Sequence, residues 1–179
     1  ADEIICIEHP WYNKGYFQNE VKKLPKWVIF INREIFLKKS KKFSSPRKIF
    51  LDRSTSKFNH CKIFNQSSLN KWLKKDNFGI YTPETLSQEK QICLFNNASI
   101  ILGAHGAALT NIIFCKPGTK VIEIIPADHP NKKCERISKI LKLKYFRIKT
   151  KPDNSDKNFP FKIHLNKRHL KIINDKINL

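Results

Sequence analysis

The chain has 179 residues, 40% of them hydrophobic, which is enough for one well-buried domain and leaves little room for a second. Its longest apolar runs, such as Ile4 to Ile7, fall far short of the roughly 18 residues of a membrane-spanning helix, so no membrane span is expected. The net charge of +20 comes from 35 basic residues of which only six are Arg, the residue that specific nucleic-acid recognition favours, so a solvated lysine-rich surface is preferred over a nucleic-acid interface.

Residues 1–45 show no regular alternation of elements. Ile4 to Ile7 is strand-like, Pro10 to Gly15 is typical of a turn, and Trp27 to Leu37 is apolar with charged interruptions. The chain begins without Met and without the charged start and apolar stretch of a signal peptide. We therefore expect residues 1–45 to be the remnant of a preceding domain or a packing arm, in a longer protein with a further N-terminal domain.

Residues 46–150 alternate short apolar runs with segments of helical periodicity. The apolar runs predict strands at Lys48 to Leu51, Phe78 to Tyr81, Ser99 to Leu102, Val121 to Ile125 and Tyr145 to Ile148. The predicted helices are one capped by Asn65 with Leu69, Trp72 and Leu73 on one face, one capped by Ser87 with Ile92 and Phe95 inward, and two more at about Ala107 to Phe114 and Asn131 to Leu141. Single helices between strands imply right-handed crossovers. The prediction is an α/β fold, a Rossmann-like and mostly parallel sheet with helices on both faces.

Residues 151–179 are expected to form a loop and a C-terminal strand and helix. Lys151 to Asn158 is polar, Phe161 to His164 is strand-like, and Lys167 to Ile177 has helical periodicity with Asn166 as its candidate cap. The five Cys residues lie far apart, with no C-x-x-C pair and no Cys/His spacing typical of zinc. Buried thiols are therefore expected, and no metal site is predicted.

The densest group of unusual residues is Gly103 to Asn111, where a predicted strand passes into a helix. Ligands of an open parallel sheet bind beyond the carboxyl ends of its strands. Gly103 and Gly106 would let the backbone approach a phosphate, and the unpaired N–H groups of the following helix would attract an anion. His105 is placed to donate to a diphosphate oxygen or a sugar hydroxyl. The alternative is a tight strand-to-helix turn built from small residues and one histidine.

Two further charged residues belong to the same predicted sheet. Arg53 ends the first strand, at the same edge as His105, where it can grip phosphate oxygens with two hydrogen bonds; its alternative is a surface ion pair with Asp52. Glu123 places one carboxylate inside an apolar strand, where burial is costly unless the group is hydrogen-bonded. It could hold ribose hydroxyls or cap backbone amides.

The order of these motifs resembles glycosyltransferase family 61, a group that includes plant xylan xylosyl- and arabinosyltransferases and animal O-linked N-acetylglucosaminyltransferases. The resemblance covers about Lys48 to Ile148 and rests above all on the run Gly103 to Asn111. Pro83 to Ser87, Pro117 to Thr119 and Val121 to Glu123 support it by order and spacing. One departure concerns Asn65, since the family tends to carry an Arg shortly before this Asn and the nearest cation here is Lys62.

The resemblance implies that the chain is the C-terminal, donor-binding half of a two-domain GT-B glycosyltransferase. It implies an inverting, metal-independent transfer from a nucleotide sugar such as UDP-xylose or UDP-N-acetylglucosamine, without a cofactor, to a glycan or protein hydroxyl. Arg53 and His105 would stabilise the leaving diphosphate, and Glu123 would lie by the nucleoside. The catalytic base is not identified and is expected from the N-terminal domain. The full donor-binding set is Arg53, Gly103, His105, Gly106, Ala107, Ala108, Asn111 and Glu123.

Two other functions stay open from the sequence. One is a non-catalytic nucleotide- or glycan-binding module of a polysaccharide-assembly system that retains the fold. The other is a basic nucleic-acid binder, which only the net charge favours. The abundance of Lys, Asn and Ile with unpaired Cys fits a bacterial cytoplasmic or membrane-associated pathway, whereas a eukaryotic source would imply the Golgi or ER lumen; the sequence fixes neither.

Overall fold

A computed structural model of the chain describes residues 24–39, 44–55, 60–151 and 162–179. The predicted strand at Ile4 to Ile7, the turn at Pro10 to Gly15, Cys6 and nearly all of the polar loop at Lys151 to Asn158 lie outside these residues. No helix in the described ranges combines the length and the apolar character needed to cross a bilayer.

In the part of the chain that the structure describes, five parallel strands form one sheet, in the spatial order β2-β1-β3-β4-β5. The strands are β1 Lys48–Leu51, β2 Gly79–Tyr81, β3 Ile100–Ala104, β4 Lys120–Pro126 and β5 Lys144–Thr150. Each prediction of a strand in residues 46–150 is therefore confirmed, with bounds that differ by at most two residues. The chain runs outward from β1 to β2, then returns past β1 to β3, so the direction of winding reverses between β1 and β3.

Helices cover both faces of this sheet, as predicted. They are α1 Lys26–Lys39, α2 Gln66–Lys75, α3 Gln88–Asn97, α4 Lys133–Leu141 and α5 Lys167–Asn178, with 3-10 segments at Pro83–Thr85 and Ala107–Phe114. Alternate residues of each strand face opposite layers. Ile49, Ile101 and Val121 pack with α1, α3, α4 and the second 3-10 segment, whereas Phe50 and Ile122 pack with α2 and α5.

The structure corrects four details of the sequence analysis. Trp27 to Leu37, expected to be irregular, lies within α1, which packs against α3 and the 3-10 segment Ala107–Phe114. That segment was expected to be an ordinary helix and has 3-10 geometry instead. Of the strand predicted at Phe161 to His164, residues 162–164 are described, and they contribute one isolated bridge, between Ile63 and Ile163, in place of a strand. Asn65 occupies the N-cap of α2, but its side chain bonds the backbone of Leu165.

Several local predictions are confirmed. The Ser87 hydroxyl accepts a hydrogen bond from the Lys90 amide at the start of α3, and Asn166 forms a reciprocal capping box with His169 at the start of α5. Four of the five cysteines, Cys61, Cys93, Cys115 and Cys134, are buried free thiols.

Candidate functional site at the reversal of the sheet

The site lies where β1 and β3 end side by side. Ligands of such sheets bind at the carboxyl edge, between the two strands whose connections leave in opposite directions. Leu51 is the register partner of Gly103, so Arg53, two residues beyond Leu51, reaches the loop that follows β3. A Cβ atom placed on Gly106 would lie 1.6 Å from Nη1 of Arg53 and 2.4 Å from its Cζ. The guanidinium therefore occupies the space that any side chain at position 106 would need.

Arg53 keeps hydrogen-bonding capacity in this position. Nη2 donates to the His60 carbonyl at 3.3 Å, while the buried Nε has no partner among the residues that the structure describes. Asp52 accepts from the Ser54 amide and from the Gln66 side chain, so the alternative of an Arg53 to Asp52 ion pair is not what forms. The guanidinium faces the loop with unused donors.

The backbone at the start of the 3-10 segment offers further donors. The Leu109 amide closes the first turn by donating to the Gly106 carbonyl at 3.2 Å. Within the described ranges, neither the Ala107 amide nor the Ala108 amide donates to a backbone carbonyl. Gly106 itself is extended, with φ 170° and ψ 176°, a conformation open to any residue. Its requirement for glycine thus comes from contact with Arg53.

A pocket of about 420 Å³ opens beside these groups. It is lined by Arg53, Pro83, Glu84, Gln91, Ala107, Ala108 and Asn111. The Asn111 side chain donates to Gln91 Oε1 at 2.8 Å, and Gln91 Nε2 donates to the Pro83 carbonyl at 2.9 Å, so the far wall is held by hydrogen bonds. A guanidinium, two amides that donate to no backbone carbonyl and fixed polar side chains supply hydrogen-bond donors to this pocket, and the Glu84 carboxylate adds one negative charge to its lining.

The predicted residues therefore divide into two groups. Arg53, Ala107, Ala108 and Asn111 line the pocket, whereas Gly103, His105, Gly106 and Glu123 do not line it. Pro83, Glu84 and Gln91 line it without having been predicted as site residues. The signal for them was available in part, because Pro83 to Ser87 belongs to the motif order on which the family resemblance rests.

His105 and Glu123 form a buried pair beneath the pocket loop. His105 Nδ1 lies 2.6 Å from Glu123 Oε1, and the Tyr145 hydroxyl donates to the other carboxylate oxygen. Burial alone would raise the pKa of the Glu123 carboxyl, but hydrogen bonds from His105 and Tyr145 outweigh it and lower that pKa below its ordinary value. An ionised carboxylate only accepts, so His105 Nδ1 carries the proton and Nε2 faces away.

The hydrogen bond between His105 and Glu123 shows how both residues are held, and it does not test their predicted contacts with the donor. Gly103 is the register partner of Glu123, and the His105 amide donates to the Ile124 carbonyl at 2.8 Å, so the loop is bonded to β4. The described hydrogen bonds of the Glu123 carboxylate are with the side chains of His105 and Tyr145. Direct donor contacts of His105 and Glu123 stay predictions.

A group of three histidines, not predicted from the sequence, lies on the other side of His105. The ring centroid of His105 is 4.3 Å from that of His129 and 6.2 Å from that of His60, and His60 Nε2 lies 3.0 Å from His129 Nε2. Burial, with the neighbouring histidines, lowers the pKa of His129 to about 4 and moves that of His60 below its ordinary value. Both rings are therefore neutral near pH 7.

Among the described residues, two sets bring three metal-ligand atoms within 4.8 Å of one another. One is His60, Cys61 and His129; the other is His105, Glu123 and Cys134. In the second set the imidazole and the carboxylate already satisfy each other.

Comparison with known proteins identifies the family of the chain. The family model for glycosyltransferase 61 matches residues 1–122, more than half of the 179 residues, and the match includes Arg53 and the loop Gly103 to Asn111. A beta-1,2-xylosyltransferase of Arabidopsis thaliana is 38% identical over 60 residues, which are 34% of this chain and 11% of that protein. Beta-1,2-xylosyltransferase RCN11 of Oryza sativa subsp. japonica is 35% identical over 63 residues, 35% of this chain and 12% of that protein. The aligned segment is a small part of each relative, but the family match is broad: the chain belongs to glycosyltransferase family 61.

Proposed function

We propose that this chain binds the nucleotide-sugar donor of an inverting, metal-independent glycosyltransferase, with the donor diphosphate between Arg53 and the amides of Ala107 and Ala108. The observation that carries the proposal is the placement of the Arg53 guanidinium against Gly106 with its buried Nε unpartnered in the described part of the chain. A buried donor without a partner is costly unless a ligand supplies the acceptor. A diphosphate offers oxygens at the spacing that the guanidinium fork favours.

The same groups would stabilise the leaving group during transfer. In an inverting reaction the acceptor oxygen attacks the anomeric carbon while the bond from that carbon to the diphosphate oxygen breaks, and the electron pair stays on the diphosphate. Negative charge grows there as the bond lengthens. Arg53 and the two amides are fixed before the reaction, so they can stabilise that charge without reorganising. His105 contributes by holding the loop through Glu123.

The remaining parts of the proposal concern the substrates. The donor is UDP-linked, and UDP-xylose is the first candidate because both plant relatives are named beta-1,2-xylosyltransferases. The acceptor is a glycan or protein hydroxyl. The base that deprotonates this hydroxyl is contributed by another part of the whole protein.

The test is calorimetric titration of the chain with UDP and UDP-xylose, before and after Arg53→Ala. Loss of charge-assisted hydrogen bonds worth about 1.5–3 kcal/mol predicts binding roughly 10- to 150-fold weaker in the variant. Arg47→Ala is the matched control, because Arg47 precedes β1 at the opposite edge of the sheet and lines a separate pocket with Pro117 and Thr119. Equal loss in both variants, or no UDP binding by the unchanged chain, contradicts the proposal.

Turnover is tested separately from binding. The whole protein should transfer sugar or hydrolyse the UDP-sugar donor, and Arg53→Ala should reduce kcat together with donor affinity, because the leaving group loses its cation. Intact UDP binding with neither transfer nor hydrolysis would instead favour the non-catalytic binding module.

A further inference from the structure

We propose that His60, Cys61 and His129 form a binding site for one zinc ion, next to the donor pocket and separate from the transfer reaction. The three residues come from two distant parts of the chain. His60 and Cys61 lie between β1 and α2, whereas His129 follows β4. Their ligand atoms all lie within 4.8 Å of one another, and the two imidazole Nε2 atoms are 3.0 Å apart.

These distances are close to those of a tetrahedral zinc centre. Zn–N bonds of about 2.0–2.1 Å and a Zn–S bond of about 2.3 Å place the ligand atoms of a tetrahedron about 3.3–3.7 Å apart. The observed Nε2 to Nε2 separation is a few tenths of an ångström shorter, and the thiol lies at most about 1 Å farther than this spacing requires. Small side-chain rotations would therefore seat the ion, without movement of the sheet.

The ligand chemistry selects a borderline or soft cation. Two imidazoles and one thiolate, formed when the Cys61 thiol gives up its proton to solvent as the metal binds, suit Zn²⁺ and its probe Co²⁺, whereas Mg²⁺ and Ca²⁺ require oxygen ligands. Three protein ligands leave a fourth tetrahedral position for water. The alternative set of His105, Glu123 and Cys134 is a poorer candidate, because its histidine and carboxylate already form a 2.6 Å contact and Tyr145 occupies the other oxygen.

The backbone around the site is unusual in a way that this role would explain. Cys61 has φ of +55°, a left-handed conformation that costs a non-glycine residue free energy and is often retained at functional sites. It directs a fully buried thiol toward the two histidines. On the other side, Arg147 donates to the His129 carbonyl at 2.6 Å and fixes the backbone of that ligand.

Two contacts must break when the metal binds: the hydrogen bond that joins the two Nε2 atoms gives way to coordination, and a second hydrogen bond is lost at His129 Nδ1. The Asn131 amide lies 3.3 Å from His129 Nδ1, a long hydrogen bond in which Nδ1 is the acceptor. Coordination through Nε2 places the ring proton on Nδ1, so this amide loses its acceptor. The Asn131 amide resonance is therefore a direct reporter of metal binding at His129.

The consequence for the donor pocket runs through His60, whose carbonyl accepts from Arg53. A metal that fixes His60 would fix one anchor of the guanidinium. This consequence rests on the proposed function, but the metal site itself does not. Metal binding and UDP binding are measured independently, so the failure of either proposal is distinguishable from the failure of the other.

The experiment is titration of the chelator-treated chain with Co²⁺, followed in the visible spectrum. We expect the intense bands of a tetrahedral cobalt centre with a thiolate charge-transfer band, displaced by one equivalent of Zn²⁺, and a shift of the Asn131 amide. Cys61→Ser and His129→Gln should each remove the charge-transfer band or weaken binding by about 100-fold or more. Cys134→Ser, in the alternative set, should leave the spectrum unchanged.

Outcomes that overturn the proposal are equally clear. They are a chain without a tetrahedral cobalt spectrum, a spectrum that survives both Cys61→Ser and His129→Gln, or one that only Cys134→Ser removes. Circular dichroism reports whether each variant is folded. Should a variant fail to fold, zinc X-ray absorption on the unchanged chain decides the matter, since one sulfur and two imidazole ligands support the site and any other protein ligand set refutes it.

Discussion

Replacing Gly106 by alanine places a methyl group in the volume that the Arg53 guanidinium fills. The new Cβ would lie 1.6 Å from Nη1, whereas ordinary contact begins at 3.4 Å, so the guanidinium must move by nearly 2 Å. The backbone conformation at position 106 is allowed for alanine, because a φ of 170° is extended. The substitution therefore displaces one cation from the pocket while leaving its charge in the protein.

The size of the effect follows from what Arg53 is proposed to do. Charge-assisted hydrogen bonds to phosphate contribute about 1.5–3 kcal/mol, so Gly106→Ala should weaken UDP binding roughly 10- to 150-fold, close to the effect of Arg53→Ala. Gly103→Ala is the matched control in the same loop. Its Cβ would lie 3.1 Å from the Leu51 Cβ, a tight contact that a small adjustment relieves, and Arg53 is not involved.

A double-mutant cycle distinguishes displacement of Arg53 from direct blocking of the diphosphate by the new methyl group. If Gly106→Ala acts by displacing Arg53, it should have little further effect on UDP binding in an Arg53→Ala background. If the methyl group instead blocks the approach of the diphosphate to the loop, the two losses should add. Calorimetric titration of the four proteins measures both. Additive losses, or unchanged affinity in Gly106→Ala, would refute the placement of the guanidinium as the cause.

Three further predictions concern stability, each measured by urea unfolding. Arg33→Ala should cost about 1.5–3 kcal/mol, because Arg33 donates to the backbone carbonyls of Ile113 and Cys115. Lys38→Ala on the same helix is the matched control; it breaks an exposed ion pair with Glu34 and should change the free energy of unfolding far less. Ser87→Ala should cost about 1 kcal/mol through loss of the N-cap of α3. Glu123→Gln should cost about 1.5–3 kcal/mol at pH 7, because it replaces an ionised hydrogen-bond acceptor. Because the folded pKa of Glu123 lies below its unfolded value of about 4.3, the ionised carboxylate stabilises the fold above that pH, and this stabilisation is lost as the pH falls through the folded pKa. Gln does not titrate, so only the unchanged chain should lose this part of its stability in acid. If the free energy of unfolding falls equally in acid for both proteins, the lowered pKa of Glu123 is contradicted.

The central strands were predictable because they are buried on both faces. Val121 to Ile125 and Lys48 to Leu51 are nearly continuous apolar runs, the pattern of a central parallel strand. The helix α1 was not predicted because its apolar residues lie on several sides. Ile29 is buried at 2% exposure, yet Trp27 and Phe30 on the same helix are about half exposed, so no single stripe marks the inward face.

The part of the site that directly follows the ends of strands was predictable. Arg53 and the loop after β3 each follow an apolar strand, and parallel strands bring their carboxyl ends to one edge. The pairing of His105 with Glu123 could have been predicted in the same way, because placing β3 beside β4 in register sets Gly103 opposite Glu123. The grouping of His60 with His129 was not, because those residues are 69 positions apart and meet through loops.

Each unusual residue of the pocket loop contacts a different neighbouring residue. Gly103 leaves room for the Leu51 side chain, Gly106 leaves room for Arg53, and His105 between them is bonded to Glu123 on β4. All three contacts are made between protein atoms, so the fold itself shapes the loop. A diphosphate would therefore meet donors that need little ordering, which lowers the entropic cost of binding and of transition-state stabilisation alike. It follows that Glu123→Gln, which loosens the loop without touching the pocket lining, should weaken UDP binding less than Arg53→Ala does.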